Sequence, residues 1–310
     1  MRPVRTRLLS TISGLALAAV ASSPALAADA VDYVAAPTGI ELAPPATSAW
    51  VSLEGRYNIH PDSLFDDDGL IGLFLDDFDP SPDDGWGGSI ELGVKPAGME
   101  YDFVGRFTYM QSDGRSSFYY AAFPFYAGLE AEIDQKLMLA DFEVGRELGV
   151  GTRIHAGLRF AHYDASLQGD GFVAFPGTYA FGFVTGDATF TGIGPRIGIE
   201  HRFGLTDALS LDLAAAGAAI YGKREVELFG YGYATGYGSA SFADAASENE
   251  WVLNGEASAG LTYSFSPAAS VTAGYRIDYF SDIATDFLTG EAADHYTHGP
   301  FVKATFRFGG

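Results

Sequence analysis

The sequence contains no cysteine among its 310 residues, which excludes disulfide bonds and metal sites built from thiolates. Basic residues are also scarce, because 18 Lys and Arg stand against 40 Asp and Glu, for a formal net charge of −22. A chain this acidic does not attract nucleic acid by charge, so we expect no nucleic-acid partner. After residue 27, no stretch approaches the roughly 20 consecutive apolar residues that a membrane-spanning helix needs.

The first 27 residues have the pattern of a secretory signal peptide. A basic start is followed by an apolar run at 12–21, and Ala25-Leu26-Ala27 supplies small residues for cleavage. We predict cleavage after Ala27, a Pro-containing periplasmic leader at 28–48 and one folded domain at 49–310.

Glycine (39 residues) and aromatic side chains (14%) are abundant, and polar and apolar residues alternate in ten segments. The alternation is clearest in TFTGIGPRIGIEHRF at 189–203, and strict alternation predicts a β-strand. The ten segments are 49–58, 87–95, 99–110, 137–146, 152–163, 189–203, 209–222, 251–265, 270–281 and 299–308. Their lengths suit strands that cross a bilayer at a tilt.

The joins between these segments alternate between short and long. The short joins are 95–99, 147–151, 204–208 and 266–269, and the long ones are 59–86, 111–136, 164–188, 223–250 and 282–298. A transmembrane antiparallel up-and-down β-barrel has short periplasmic turns and long outer loops, whereas the loops of a secreted β-sandwich need not alternate in length. We therefore predict an all-β, ten-stranded barrel in the outer membrane of a Gram-negative bacterium.

Three of the predicted outer loops are rich in aromatic residues and glycine. They are 118–128, 171–186 and 226–238. Such loops can extend the barrel wall, fold inward as a constriction or form additional strands, and the last option leaves a twelve-stranded barrel as the alternative.

Each predicted strand has an apolar face for lipid and a face with charges of both signs for the lumen. The basic residues of the lumen face are Arg56, Lys95, Arg106, Arg153, Arg159, Arg196, Arg202, Arg276, Lys303 and Arg307. The acidic residues of that face are Glu54, Glu91, Glu100, Asp102, Asp141, Glu143, Glu200, Asp212, Glu256 and Asp278. In so narrow a bore these charges either line a constriction or pair with one another and plug the barrel. Arg106, Arg159, Arg196 and Glu200 are the leading candidates for a constriction.

Aromatic residues at both ends of the outward face predict two interfacial girdles. They are Tyr57, Tyr101, Tyr109, Phe203, Tyr221, Trp251, Phe265, Tyr279 and Phe308.

The first outer loop has nine Asp between His60 and Trp86 and no basic residue. Its acidic residues include Asp66, Asp67, Asp68, Asp76, Asp77, Asp79, Asp83 and Asp84. Clustered carboxylates can bind a divalent cation, but the spacing does not match a calcium-hand loop, and a solvated acidic loop is the alternative interpretation. Either way, we expect the outer mouth to concentrate cations.

Histidines near the predicted strand tops are the remaining candidates for chemistry. They are His60, His162, His295 and His298. His162 with Asp164, or Asp294 with His295, can form a rim pair that activates water, and His295 with His298 supplies two metal ligands. The chain has no nucleophile elbow, phosphate-binding loop or HExxH motif. We expect no enzymatic activity, and no cofactor other than a divalent cation at the acidic loop.

The stretch GIGPRIGIE at 192–200, followed by LSLDLAAAGAAIYG at 209–222, resembles a signature of the Legionella-type pore-forming outer-membrane protein family. Arg159 within GLRF at 157–160 fits this resemblance as well. The resemblance implies an integral outer-membrane barrel with porin-like behaviour and without a cofactor or catalytic residue. Strands of this kind usually end on an aromatic residue that the assembly machinery reads, whereas here Gly309 and Gly310 follow Phe308.

These observations predict a pore for passive diffusion of small solutes or ions through a narrow, charge-lined lumen. A plugged barrel acting as a structural or adhesive surface protein is the alternative, and an outer-surface hydrolase is a distant one. The expected partners are outer-membrane lipid, the barrel assembly machinery and the permeating solutes or ions. No outward face is conspicuously polar, so we expect a monomer.

Overall fold

The structure, a computed structural model, describes residues 46–60, 82–287 and 290–309. The predicted signal peptide, most of the leader and the acidic positions from Asp66 to Asp79 lie outside the described residues. No helix in the described part of the chain is long and apolar enough to cross a membrane.

Ten antiparallel strands close into one barrel, in which each strand pairs with its sequence neighbours and the first pairs with the last. The strands are β1 (Ser48–Asn58), β2 (Gly85–Lys95), β3 (Tyr101–Ala122), β4 (Phe125–Glu147), β5 (Thr152–Phe175), β6 (Thr178–Gly204), β7 (Leu209–Ala234), β8 (Gly238–Ser266), β9 (Ala269–Thr285) and β10 (Ala292–Phe308). The ten-stranded prediction is confirmed, and the twelve-stranded alternative is wrong.

Three joins predicted as long loops are in fact continuous strands that meet in tight turns. The turns occupy only 123–124, 176–177 and 235–237, and positive φ angles at Gly177 and Gly236 allow the last two. The strands continue because the alternation continues: Phe181 lies opposite Tyr233 and Phe183 opposite Tyr231. The ring centroids of these pairs are 5.8 and 5.7 Å apart, a separation at which cross-strand aromatic pairs stabilise a sheet. The aromatic loops therefore extend the wall beyond the membrane.

The pairing of β6 with β7 is interrupted at the Gly-Pro step of β6. Residues on either side keep one register with β7, Ile193 opposite Tyr221 and Arg196 opposite Ala218, but no pairing joins Gly194 and Pro195 to that strand. Proline lacks the N–H group that a ladder needs. The sequence predicts a bulge or irregular spot here, and the structure has the irregular spot without a shift in register.

Two aromatic belts mark the membrane-spanning part of the wall. At the end from which the hairpins extend, the Trp86 and Tyr109 rings lie 5.9 Å apart and the Tyr221 and Trp251 rings lie 5.1 Å apart. At the other end, Phe265 and Phe308 are exposed on the outward face. All nine girdle residues of the sequence analysis lie on this face, joined by Trp86, which was missed because it precedes the predicted segment. The other end, where the joins 96–100, 148–151, 205–208 and 267–268 follow the aromatic belt directly, is periplasmic, because such barrels extend their long segments on the outer side.

Candidate functional site: the filled lumen

A layer of paired charges crosses the middle of the lumen. Arg159 on β5 donates from Nε and Nη2 to the two carboxylate oxygens of Asp141 on β4, at 2.7 Å each. The same guanidinium contacts Asn254 and lies 3.4 Å from Glu256, both on β8. Arg159 is 1% exposed. One side chain therefore reaches across the bore from β5 to β8.

Arg196 on β6 forms a second connection across the bore. Its guanidinium pairs with Glu143 on β4 and with Glu256 on β8, and its Nε lies 3.7 Å from Asp141. Glu143 is fully buried and lies 2.9 Å from Nδ1 of His155. The carboxylates of β4 and β8 are thus shared between Arg159 and Arg196.

The side of the lumen formed by β1 and β9 is paired in the same way. Arg56 Nη1 lies 2.8 Å from Asp278, and Arg276 lies 3.1 Å from Asp278 and 2.5 Å from Glu256. We call the whole set the ionic layer: Arg56, Asp141, Glu143, Arg159, Arg196, Glu256, Arg276 and Asp278. Its four arginines balance its four carboxylates. The balance of charges is important because a buried charge is tolerated only when it is paired and hydrogen-bonded.

An apolar layer fills the lumen on the outer side of the ionic layer. Its members, all from inward-facing positions or from the outer β9–β10 connection, are Met110, Ile133, Leu137, Leu139, Ala161, Tyr163, Ala165, Leu167, Ala188, Phe190, Ala218, Ile220, Val226, Val252, Phe280, Ile283, Ala284 and Phe287. Phe190, Ile220, Val252 and Phe280 are fully buried. Within the described residues, the outer half of the bore is therefore packed like a protein core.

The sequence analysis missed the apolar layer, although a signal for it exists. On β5 the inward positions change from Arg153, His155 and Arg159 to Ala161, Tyr163, Ala165 and Leu167. The outward positions change at the same point to His162, Asp164 and Ser166, so the alternation continues with its apolar face inward, and the outward apolar face that defined the predicted segments ends there. The predicted segments consequently stop where the layer begins.

The periplasmic half of the lumen holds a polar cavity of about 400 Å³. The cavity extends from the periplasmic end of the barrel, where Lys95 and Arg307 line it, up to Arg196 and Glu256 at the ionic layer. Its charged wall contains the pairs Arg106–Glu91 at 2.6 Å, Arg153–Asp102 at 2.6 Å and Arg202–Asp212 at 2.7 Å, and it also includes Glu200 and Lys303.

The structure separates the predicted constriction residues. Arg159 and Arg196 lie in the ionic layer, whereas Arg106 and Glu200 line the periplasmic cavity. One assignment to the lumen was wrong: Glu100 lies before β3 and pairs with the exposed Arg146, outside the bore. Its position is explained by the strand beginning at Tyr101 rather than at residue 99.

The rim pairs suggested for catalysis are not brought together as hydrogen-bonded dyads. The His162 ring hydrogen-bonds Thr191 on the outward face. Asp294 accepts a hydrogen bond from the Tyr279 hydroxyl at 2.7 Å, also outside, whereas His295 points into the lumen. Residues 294 and 295 are neighbours on a strand, so they lie on opposite sides of the wall.

The two-histidine metal hypothesis for His295 and His298 fails for a similar reason. His298 hydrogen-bonds the outward-facing Tyr275 hydroxyl at 2.5 Å and is thereby turned away from His295. Of the acidic loop, Asp84 accepts hydrogen bonds from the Tyr57 hydroxyl at 2.9 Å and the His60 amide at 3.3 Å. In the described part of the chain, no three His, Asp or Glu residues form a cluster that could hold a metal ion.

Comparison with known protein families gives one match that covers most of the barrel. The profile of the family described as Legionella pneumophila major outer membrane protein precursor matches residues 75–308. The chain belongs to this family. The resemblance noted in the sequence is thus confirmed, and membership places the barrel in the outer membrane.

The chain is also distantly similar to several solved outer-membrane proteins, with TM-scores below 0.5. The outer membrane protease OmpT from Escherichia coli has 8% identity and a TM-score of 0.40, with 86% of this chain and 96% of that chain covered. LpxR from Salmonella typhimurium has 12% identity and a TM-score of 0.26, with 84% and 99% covered. The P. putida toluene transporter TodX has 7% identity and a TM-score of 0.31, with 86% of this chain and 91% of that chain covered. A comparison with curated proteins gives no match.

Proposed function

We propose that this protein is a closed outer-membrane barrel that acts as a structural surface protein and displays its extended hairpins outside the cell. The observation that carries the proposal is the filled lumen, in which the ionic layer and the apolar layer lie one above the other. A solute would have to displace both layers in order to pass.

The two layers resist opening for different physical reasons. Breaking one buried ion pair so that a charge is left unpaired costs about 3–5 kcal/mol. Exposing an apolar side chain such as Phe190 or Phe280 to water costs about 1.5–3 kcal/mol. Several such groups would have to move together, so thermal fluctuation opens the barrel rarely.

The display role rests on the hairpins that rise beyond the outer aromatic belt. On β6 and β7 they carry an outward row of rings, formed by Phe181, Phe183, Phe229, Tyr231 and Tyr233, with neighbouring ring centroids 5.7 to 6.0 Å apart. An exposed apolar patch outside the membrane is typical of an interaction surface. A structural or adhesive role uses this surface and needs no passage through the lumen.

A diffusion pore is the second candidate function, and the periplasmic cavity of about 400 Å³ favours it. The cavity already gives small polar solutes access to half of the bore, and only the outer layers would have to move. In that case the mouth near Asp83 and Asp84 would favour cations.

We also propose that the barrel catalyses no reaction and functions as a monomer in outer-membrane lipid after insertion by the barrel assembly machinery. The first part is supported by the rim His and Asp side chains, whose hydrogen bonds go to Thr191, Tyr275 and Tyr279 rather than to one another. The second part, a monomer inserted in lipid, is supported by the apolar outward face of the wall between the two aromatic belts.

Swelling of proteoliposomes in small neutral sugars tests the main proposal. Folded protein, verified by its heat-modifiable migration, is expected to give the same swelling rate as protein-free liposomes, because the lumen is filled. A rate that rises with the amount of folded protein, and that depends on the size of the sugar, would establish the pore and refute the closed barrel.

A further inference from the structure

Unpartnered polar atoms gather around one small cavity at the outer end of the lumen. Its volume is about 10 Å³, room for about one water-sized sphere. Within the described residues, the Tyr163 hydroxyl, Gln135 Oε1, Thr297 Oγ1 and both ring nitrogens of His60 are buried without a hydrogen-bond partner, although the His60 ring also faces the backbone of Asp83. The four residues that carry these atoms line this cavity, together with His295. Buried polar atoms without partners are rare in native proteins, so five around one cavity indicate a ligand.

The separation of the two imidazole rings fits a shared metal ion. The ring centroids of His60 and His295 lie 5.5 Å apart. Zn–N bonds of about 2.0–2.1 Å place each ring centre about 3.2 Å from the ion, and a tetrahedral angle then separates two such centres by about 5.2 Å. The Tyr163 ring centroid lies 5.8 Å from that of His295, and both residues line the cavity.

The chemistry of these atoms selects the class of ion. Two imidazoles and a few neutral oxygens suit Zn²⁺ and related transition ions rather than Ca²⁺ or Mg²⁺, which prefer oxygen ligands with negative charge.

The nearby charges permit a cation at this position. Arg56 lies near enough to His295 to act on it electrostatically, and its guanidinium is paired with Asp278 at 2.8 Å. Asp84 lies on the other side of His60, where its carboxylate accepts the His60 amide proton at 3.3 Å. A divalent ion in the cavity would therefore lie between the charge-balanced Arg56–Asp278 pair and the carboxylate of Asp84.

We propose that His60 and His295 bind one divalent transition-metal ion of the Zn²⁺ class, with Gln135 Oε1 and the Tyr163 hydroxyl as neighbouring oxygen donors. The ion joins the end of β1 to β4, β5 and β10 and fixes the outer end of the filled lumen. The site is independent of whether the barrel is closed or gated, and it differs from the acidic loop and from the pairing of His295 with His298.

Zinc titration of untagged, refolded mature protein, in competition with a chromophoric chelator, tests this site. We expect one ion per chain, and at least a tenfold loss of affinity in H60Q and in H295Q. The Y163F variant removes one oxygen and is expected to lose less. H201Q is the matched control, because His201 lies at the periplasmic end and hydrogen-bonds Thr152, and its affinity should equal that of the wild type.

X-ray absorption of the zinc-loaded wild type provides a test that depends on no variant. Scattering from two imidazole ligands supports the proposal. If the wild type fails to bind zinc, if H60Q and H295Q bind it as tightly as H201Q does, or if the spectrum lacks imidazole scattering, the proposal is overturned, and water is the occupant of the cavity.

Discussion

At the scale of single residues, the decisive feature of the lumen is that its arginines are shared rather than simply paired. Arg159 and Arg196 both reach Glu256 on β8, and both lie near Asp141 on β4. Each of these two carboxylates therefore interacts with more than one guanidinium. Removing one arginine leaves the buried layer with an excess of one negative charge, and this cost exceeds that of losing one ion pair at the surface.

Replacing Arg159 by Met is expected to lower the free energy of unfolding by about 3–5 kcal/mol, because Asp141 would lose its bidentate partner in a buried layer. Urea unfolding in lipid vesicles, followed by tryptophan fluorescence, measures the change.

The matched control is Arg115→Met in the extended part of β3. Arg115 pairs with Glu130, and both side chains are exposed, so no measurable change is expected. Equal effects of the two substitutions would show that the buried network contributes no more than an exposed pair.

At the scale of elements, β6 shows how a strand keeps its register across a proline. A Cβ atom on Gly194 would overlap the backbone carbonyl of Ala219 on β7, whereas a Cβ on Gly105 of β3 would meet no atom within 4 Å. The glycine beside Pro195 is therefore required by the close approach of two backbones, not by an unusual φ angle.

Substitution of Gly194 by Ala is accordingly expected to impair assembly, with a smaller fraction of heat-modifiable protein after refolding. Gly105→Ala is the control, since it adds the same methyl group in another strand, and it should refold like the wild type. Normal refolding of both variants would mean that the wall at Pro195 can move apart at little cost.

Alternation along the chain was sufficient to predict the number, order and direction of the strands, because each strand has one face on lipid and one on paired charges. It failed where this contrast ends. Inward Tyr163 and Leu167 alternate with outward Asp164 and Ser166, so the apolar face of the strand changes sides there, and outward Phe183 and Tyr231 lie beyond the membrane. The sequence also did not predict which arginine pairs with which carboxylate, because partners such as Arg159 and Glu256 come from strands that are not adjacent.

At the scale of the whole molecule, the barrel combines three zones along its axis. A polar cavity faces the periplasm, the balanced ionic layer crosses the middle, and the apolar layer closes the outer half. The excess negative charge of the chain therefore resides outside these layers. The filled bore supports the wall from within, and it allows the outer hairpins to extend far beyond the membrane.

Single-channel recording in planar bilayers under a KCl gradient tests the central claim, that the lumen is closed, most directly. The wild type is recorded beside a variant that shortens one side chain of the ionic layer and two of the apolar layer, R159S/F190A/F280A. The account predicts no conductance steps for the folded wild type and steps for the variant. Reproducible steps from the wild type, with a cation-selective reversal potential, would contradict it and would identify the barrel as a pore.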